Sequence, residues 1–326
     1  MCIARFRKSQ NWQALLAATI GAMAAVAFSH GSARAQEFTI PDIDVQKLAD
    51  GILALMGFQV IPDLTTSSLS IQNAPTGDPE LLMSQLGAGF TVSDTFPLYL
   101  EGTLAFSRYD PAFAASNGEE TRRLRARWNS GAVTVGAGWD VPLTQTLTLR
   151  PIANASLGYV ASDASVLEFL LEEELGEDID FIQRGSLTTY GYGGSLVLDY
   201  GLFRPQYEID VELRYSFMRL ESFNSAMAVE GQADVSALNL WARWRAPIND
   251  WTAFDRPVRY VLEFTHSEFL GDQRGILGFN ALTSLGTGIE LDASELNIVV
   301  DRARMMGRYV FGENVTGFSV GFAVTF

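Results

Sequence analysis

The chain is short of the side chains that most active-site chemistry needs. Its 326 residues include one cysteine, Cys2, and two histidines, His30 and His266. Lysine occurs only at positions 8 and 47. A single cysteine excludes an intrachain disulfide scaffold. Positive charge is scarce too: 23 Lys and Arg stand against 38 Asp and Glu, a formal net charge of −15, so there is no basic footprint for nucleic acid. Beyond the first thirty-five residues no apolar run reaches the ~18–20 residues of a spanning helix. What is abundant is apolar surface and glycine. The chain is 48% hydrophobic and 11% aromatic with 29 glycines, which is too apolar for a disordered segment.

Arg5, Arg7 and Lys8 form a positive start, residues 14–28 an apolar run, and Ala33-Arg34-Ala35 a small-residue cleavage site. This reads as a secretory signal peptide over 1–35. Its removal takes away four positive charges, Cys2 and His30, leaving 19 basic and 38 acidic residues, a net −19. The mature chain then has no cysteine for a disulfide or a thiolate metal site, and His266 is its only histidine. Cys2 precedes the apolar run, which argues against a lipoprotein anchor. Two options remain for such an exported, acidic chain: a soluble periplasmic protein or an outer-membrane β-barrel.

Successive side chains of a strand point to opposite faces, so a period of two reports what each face meets. In 207–217 the odd positions are Tyr207, Ile209, Val211, Leu213, Tyr215 and Phe217, and the even ones Glu208, Asp210, Glu212, Arg214 and Ser216. The pattern recurs. Leu98, Leu100, Leu104 and Phe106 alternate with Tyr99, Glu101, Thr103 and Ser107; Leu149, Ala153, Ala155, Leu157 and Tyr159 alternate with Arg150, Asn154 and Ser156. About twelve segments follow this rule: 64–73, 81–93, 97–108, 121–139, 145–161, 186–201, 205–220, 232–246, 257–268, 281–292, 296–311 and 315–326. Most exceed the ~5–6 residues typical of soluble strands and suit the ~9–11 of a tilted membrane strand. In the eleventh, Leu296, Ile298 and Val300 change parity with Ala303, Met305 and Tyr309, which a bulge near Asp301 would reconcile. The longer connections, 109–120, 162–185, 221–231 and 269–280, alternate with short ones, as outer loops alternate with periplasmic turns. Connection 247–256 is the exception, being long for a turn.

The chain ends Ser319-Val320-Gly321-Phe322-Ala323-Val324-Thr325-Phe326. It resembles the C-terminal signal read by the β-barrel assembly machinery, with Ser319, Gly321, Phe322, Val324 and Phe326 in the matching positions. The size, the strand count and this tail resemble the translocator barrels of autotransporters, and in particular the solitary outer-membrane autotransporter-like β-barrel domains of Gram-negative bacteria. The resemblance covers about 64–326 and implies an all-β fold: a closed antiparallel transmembrane barrel of twelve strands with a short N-terminal helix. It also implies outer-membrane lipid and lipopolysaccharide as surroundings, and the assembly machinery and periplasmic chaperones as partners in biogenesis. Only about 28 mature residues precede the first strand, so no passenger domain is expected.

Candidate chemistry is sparse. His266-Ser267-Glu268 invites a lipid-modifying hydrolase reading, since some outer-membrane lipid deacylases look like His/Ser/Glu enzymes. Neighbours on a strand face opposite ways, however, so His266 and Ser267 could not share a proton, and His266 continues the outward parity of Leu262 and Phe264. Charges cluster on the expected inner face: Arg123, Arg125 and Arg127; Glu208, Asp210 and Glu212; Arg302, Arg304 and Arg308. They suit either a charged constriction orienting solutes or a narrow interior filled by its own ion pairs. Aromatic residues near strand ends, Trp128, Trp139, Trp244, Tyr200, Tyr260 and Phe326, suit interfacial girdles.

Two segments read as helices. Within 36–63, the stretch Ile43 to Phe58 places Ile43, Leu48, Ile52, Leu55 and Gln59 at helical spacing, and would plug the barrel or pack on its periplasmic mouth. Residues 165–176 form a second, acidic candidate in the longest outer loop, without calcium-loop spacing. The reading is therefore a non-enzymatic integral barrel with no cofactor, either structural or a small-solute pore. A hydrolase using His266 and a surface interaction protein acting through 109–120 and 162–185 are the alternatives.

Overall fold

The computed structural model describes residues 45–62, 68–73, 79–109, 112–116, 121–125, 128–162, 186–223, 231–253, 256–292, 302–313 and 315–325. The leader 1–35, the acidic candidate helix 165–176, Arg127, Phe326 and the proposed bulge near Asp301 lie outside them.

One helix, α1 (Val45–Val60), precedes fifteen β elements. They are β1 (Ser68–Asn73), β2 (Pro79–Thr91), β3 (Leu98–Tyr109), β4 (Ala112–Ser116), β5 (Thr121–Arg125), β6 (Trp128–Trp139), β7 (Val141–Pro142), β8 (Leu147–Ser162), β9 (Ser186–Phe203), β10 (Glu208–Phe223), β11 (Gln232–Ala253), β12 (Arg256–Gly271), β13 (Ala281–Asp292), β14 (Arg302–Gly312) and β15 (Val315–Thr325). All pairings are antiparallel, and thirteen of these elements share one curled sheet. The first strand pairs with the last, Ser68 opposite Val320, while β6 pairs with both β3 and β8.

Three differences from the sequence expectation concern which strands pair, which alternation along the chain does not report. The expected strand 121–139 is divided, because β5 leaves the main sheet to pair with β4 as a separate two-stranded hairpin. That hairpin occupies part of what reads as loop 109–120. The third difference is the two-residue β7, which pairs with β8 inside an expected turn and makes the sheet thirteen-stranded instead of twelve. Connection 247–256 also ceases to be an exception: β11 runs on to Ala253, with a register shift between Pro247 and Thr252. Pro247 cannot donate a ladder hydrogen bond, which favours an irregularity there.

The alternation is realised in space. Along β10, Asp210, Arg214, Ser216, Met218 and Leu220 are buried on the concave face, and Leu213, Tyr215 and Phe217 are exposed on the convex one. On β8, Ile152, Asn154 and Ser156 are buried, with Leu157 and Tyr159 exposed. The convex face is thus aliphatic and aromatic, through Leu86, Phe106, Val135, Leu196, Leu262, Leu285 and Phe318. This inverts the arrangement of a water-soluble sheet, in which the exposed face is polar.

The helix differs from the one-sided amphipathic element its spacing suggests. Ile52, Leu53, Ala54, Met56, Phe58, Gln59 and Val60 are all buried, a burial on every side that marks a helix enclosed by protein. It packs against Ala132, Val160, Leu187, Met218, Leu220, Ala233 and Val235 on the concave face. Wall glycines make room for it: a Cβ on Gly158 would lie 2.2 Å from Met56 Cε, and one on Gly231 3.1 Å from Leu53 Cδ1.

Candidate functional site

The concave interior holds two layers. One is α1 with its apolar seat, nearer the end bearing the longer connections. The other is a set of ion pairs nearer the short turns.

The helix is held by polar bonds that its sequence does not announce. The last carbonyls of a helix lack intrahelical partners. Here Thr134 Oγ1 donates to the Val60 carbonyl at 2.9 Å, and Gln85 Nε2 donates to the Ile61 carbonyl at 3.2 Å and the Gln59 carbonyl at 3.3 Å. The wall therefore caps the helix. The buried Gln59 donates through Nε2 to Ser107 Oγ at 2.7 Å and Ser130 Oγ at 2.5 Å. Near the opposite end of the helix, the Gln232 backbone N–H donates to Asp50 Oδ1 at 2.9 Å. The 272–280 connection folds over the helix: Gln273 and Phe279 are buried, and the Phe58 ring lies 5.9 Å from that of Phe279 and 4.7 Å from that of Phe269. Gly271, Gly275 and Gly278 have φ of 68°, 76° and 82°, left-handed values that favour glycine and allow this connection to turn inward.

Below the helix a buried pair crosses the interior from β3 to β10. Arg214 forks onto Glu101, Nη1 to Oε2 at 3.0 Å and Nη2 to Oε1 at 2.5 Å, with side-chain exposures of 2% and 1%. Asn154 donates to the same carboxylate at 2.8 Å, and Ser195 and Ser216 complete the network. Arg150 pairs with Asp140 and, at 3.4 Å, with Asp199, and stacks over the Tyr99 ring at 4.0 Å.

The charged candidates are placed unequally. Glu208 holds Arg245 at 2.8 Å, Arg302 at 2.8 Å and Arg259 at 2.6 Å. Asp210 holds Arg243 at 3.0 Å and Arg245 at 2.8 Å. Arg304 pairs with Glu290 at 2.9 Å, and Arg308 with Glu263 at 2.5 Å. Glu212 is half-buried on the same face. Arg243, Arg245, Arg259, Glu263 and Glu290 are absent from the sequence-level set, although the parity rule that singles out Glu208 and Asp210 selects them too. Arg123 and Arg125 belong to the β4–β5 hairpin, opposite Ala114 and Ala112, and not to the wall of the main sheet. Even positions of β6 face inward, so the parity of Arg123 and Arg125 does not carry through to Trp128. Trp128 accordingly packs on the helix seat and is not an outward girdle residue.

Other aromatic candidates lie on the convex side. Trp139 is exposed and meets Phe96 edge-on at 5.2 Å, and Trp244 meets Tyr260 at 5.0 Å. Tyr200 is half-buried. His266 Nδ1 lies 2.9 Å from Thr283 Oγ1, its cross-strand neighbour, on the face of the exposed Leu262 and Phe264. Thr265, one residue earlier, bonds Ser284 on the buried side. This arrangement does not unite His266 with Ser267. In the C-terminal motif, Ser319 is buried and Gly321 faces the same side, between exposed Phe318 and Val320. Phe322 and Val324 lie within β15. Among the described residues no cluster of three or more His, Cys, Asp or Glu side chains could hold a metal ion.

No family model and no curated protein matches the sequence. Solved structures do match in fold. The β-domain of the Bordetella autotransporter BrkA aligns over 80% of this chain and 97% of its own, at 12% identity and a TM-score of 0.45. The transport unit of the Escherichia coli autotransporter AIDA-I aligns over 85% and 99%, at 13% identity and a TM-score of 0.37. The NanC porin aligns over 80% and 98%, at 9% identity and a TM-score of 0.39. The chain is similar in fold to autotransporter β-domains and to outer-membrane porins.

Proposed function

We propose that this protein is an integral outer-membrane β-barrel of twelve wall strands whose lumen is occupied by its own N-terminal helix. The wall is every main-sheet strand except the two-residue β7, and each of the twelve has two neighbours in the pairing scheme. Closure leaves no edge to satisfy in hydrocarbon, where an unpaired backbone group costs several kcal/mol. The exposed aliphatic and aromatic convex face is what such a wall presents to lipid, and the longer connections would mark its outer side.

The observation that carries the reading is the seat of α1. Wall side chains cap its C-terminal carbonyls, and five of its apolar side chains, Ile52, Leu53, Met56, Phe58 and Val60, are buried. Each contributes ~1.5–3 kcal/mol of burial, against a rotamer cost of up to ~2 kcal/mol. That favours a docked helix over one that drifts out. With the Glu101–Arg214 pair beneath it, the helix supports a barrel that is closed at rest and serves as an outer-membrane element, or as a small-solute pore once the helix is displaced.

Single-channel recording from the refolded protein in a planar bilayer tests this. The intact chain is expected to show no steady conductance, and a variant lacking 36–62 to conduct. Conductance by the intact chain at the level of the deletion variant would refute occupation by the helix. The hydrolase alternative gains nothing from the geometry, because His266 stands on the lipid-facing side with Thr283.

A further inference from the structure

We propose that the cavity between α1, the start of β11 and the 272–280 connection binds a saccharide unit through its ring hydroxyls.

The cavity stands at the long-connection end and has a volume of about 330 Å³. That is near the lower end of the ~300–1,000 Å³ range of small-molecule pockets. Three elements build it. The helix supplies Asp50, Gly51 and Ala54, the wall Arg219 and Gln232, and the connection Asp272 with Ile276. Ala54 and Ile276 give the lining an apolar part, and the charged and amide side chains a polar one.

The polar groups are fixed by the fold. The Gln232 backbone N–H donates to Asp50 Oδ1 at 2.9 Å, and the Asp234 backbone N–H donates to Asp272 Oδ2 at 2.7 Å, so both carboxylates are held in place. A carboxylate has about four acceptor positions, and a bond of this kind uses one of them. On the wall, Arg219 Nη2 donates to Gln232 Oε1 at 3.0 Å. With that oxygen engaged, the Gln232 amide offers its Nε2 donors. The lining therefore combines fixed acceptors with fixed donors.

This mixture selects among ligand classes. An anion would face the carboxylates of Asp50, Asp234 and Asp272, whereas a cation would face Arg219 and leave the amide donors unanswered. A hydroxyl donates and accepts at one oxygen, so it answers both kinds of group without a charge. Several hydroxyls on a compact, partly apolar ring are what a saccharide presents.

The two glycines of α1 point to an occupant independently. Glycine inside a helix is less favourable than alanine. At Gly57 packing demands it, since a Cβ would lie 2.4 Å from Gln273 Oε1. At Gly51 packing does not: among the described residues a Cβ meets nothing within 4 Å, and Gly51 lines the cavity. The missing side chain keeps that space open for a molecule that is not part of the chain. At an outward-facing mouth such a unit arrives as a free sugar or as the end of a surface polysaccharide.

Ligand-observed saturation-transfer NMR on the refolded mature protein in lipid-free detergent tests this. The probes are glucose, galactose, mannose and N-acetylglucosamine, and polysaccharide released from lipopolysaccharide by mild acid. Succinate and putrescine serve as charged controls. Saturable transfer to at least one sugar, and to neither control, is expected. Transfer to a monosaccharide identifies a free sugar, and transfer to the polysaccharide alone identifies a tethered one. Gly51→Leu, which fills the cavity, should abolish the transfer. Gln232→Ala, which keeps the backbone bond to Asp50, should raise the half-saturating concentration about tenfold. Arg274→Ala, on the same connection but outside the cavity lining, should bind as the parent does. Heat-modifiable gel migration reports folding of each variant. No sugar transfer from the parent, or saturable transfer to putrescine or succinate in its place, overturns the proposal. So does an unchanged half-saturation in folded Gln232→Ala, or full binding by folded Gly51→Leu. The site rests on α1 being seated in the lumen, which conductance tests separately: a closed intact barrel that binds no sugar overturns the binding proposal alone.

Discussion

Removing the charge of Arg214 should destabilise the protein more than any other single substitution in the interior network. Arg214 and Glu101 meet fork to fork at 3.0 and 2.5 Å with side chains 2% and 1% exposed, so water screens them little. Replacing Arg214 with leucine leaves Glu101 charged, enclosed and bonded only to Asn154 of the partners described above. Stranding one member of a buried pair costs ~3–5 kcal/mol. A pair of unit charges about 4 Å apart at an effective dielectric of about 20 gives about 4 kcal/mol, which agrees. Glu101→Leu should cost a similar amount, because it strands a guanidinium that cannot lose its proton. The double variant removes both charges together with their desolvation penalty, leaving Asn154 and Ser195 short of a partner at ~1–3 kcal/mol. The double loss should therefore fall below either single loss, with a coupling of several kcal/mol in the cycle. Urea titration of refolded protein in lipid vesicles, followed by tryptophan fluorescence, measures all four corners. A single variant within about 1 kcal/mol of the parent, or two losses that simply add, would refute the buried-strut reasoning.

The helix seat makes an opposed pair of predictions. A Cβ on Gly57 would lie 2.4 Å from Gln273 Oε1 and 2.6 Å from Val235 Cγ1, so Gly57→Val should cost ~1–3 kcal/mol and make α1 cleavable by added protease. A Cβ on Gly51 meets nothing within 4 Å, so Gly51→Ala should stabilise by ~0.4–1 kcal/mol in the same urea titration. Leu196, exposed near the middle of β9, should not tolerate arginine in vesicles, where a mid-bilayer cation costs ~2–4 kcal/mol; an unchanged urea midpoint would argue against a lipid-facing wall. His266→Ala loses one half-buried hydrogen bond and should shift stability by about 1 kcal/mol or less, with membrane lipids unaltered by mass spectrometry.

The strands were legible because alternation is a local property. Glu208, Asp210, Arg214 and Ser216 alternate with Ile209, Leu213, Tyr215 and Phe217 in the chain, and the same split appears between the faces of β10. The β4–β5 hairpin was not legible, since Thr121 to Arg125 alternates as well as the β6 residues do and nothing local shows a strand leaving one sheet for another. The helix existed in the spacing of Ile52 and Leu55, but not its burial on all sides, although the apolar run from Ile52 to Met56 hints at it. The arginine cluster was half visible. Arg302 and Arg304 stood out as a local run, whereas Arg245 and Arg259 are separated in sequence from the carboxylates they hold.

What the amino-acid sequence determined by itself is everything set by nearest neighbours: strands, their two faces, and the chemistry of each face. A period of two needs no knowledge of the rest of the chain. Tertiary structure alone decided which strand ends meet, that the helix enters the concave face, and that Glu101 on β3 finds Arg214 on β10 across the interior. Those partners lie 113 residues apart, and ion pairing depends on distance in space, which only the curvature of the whole sheet supplies.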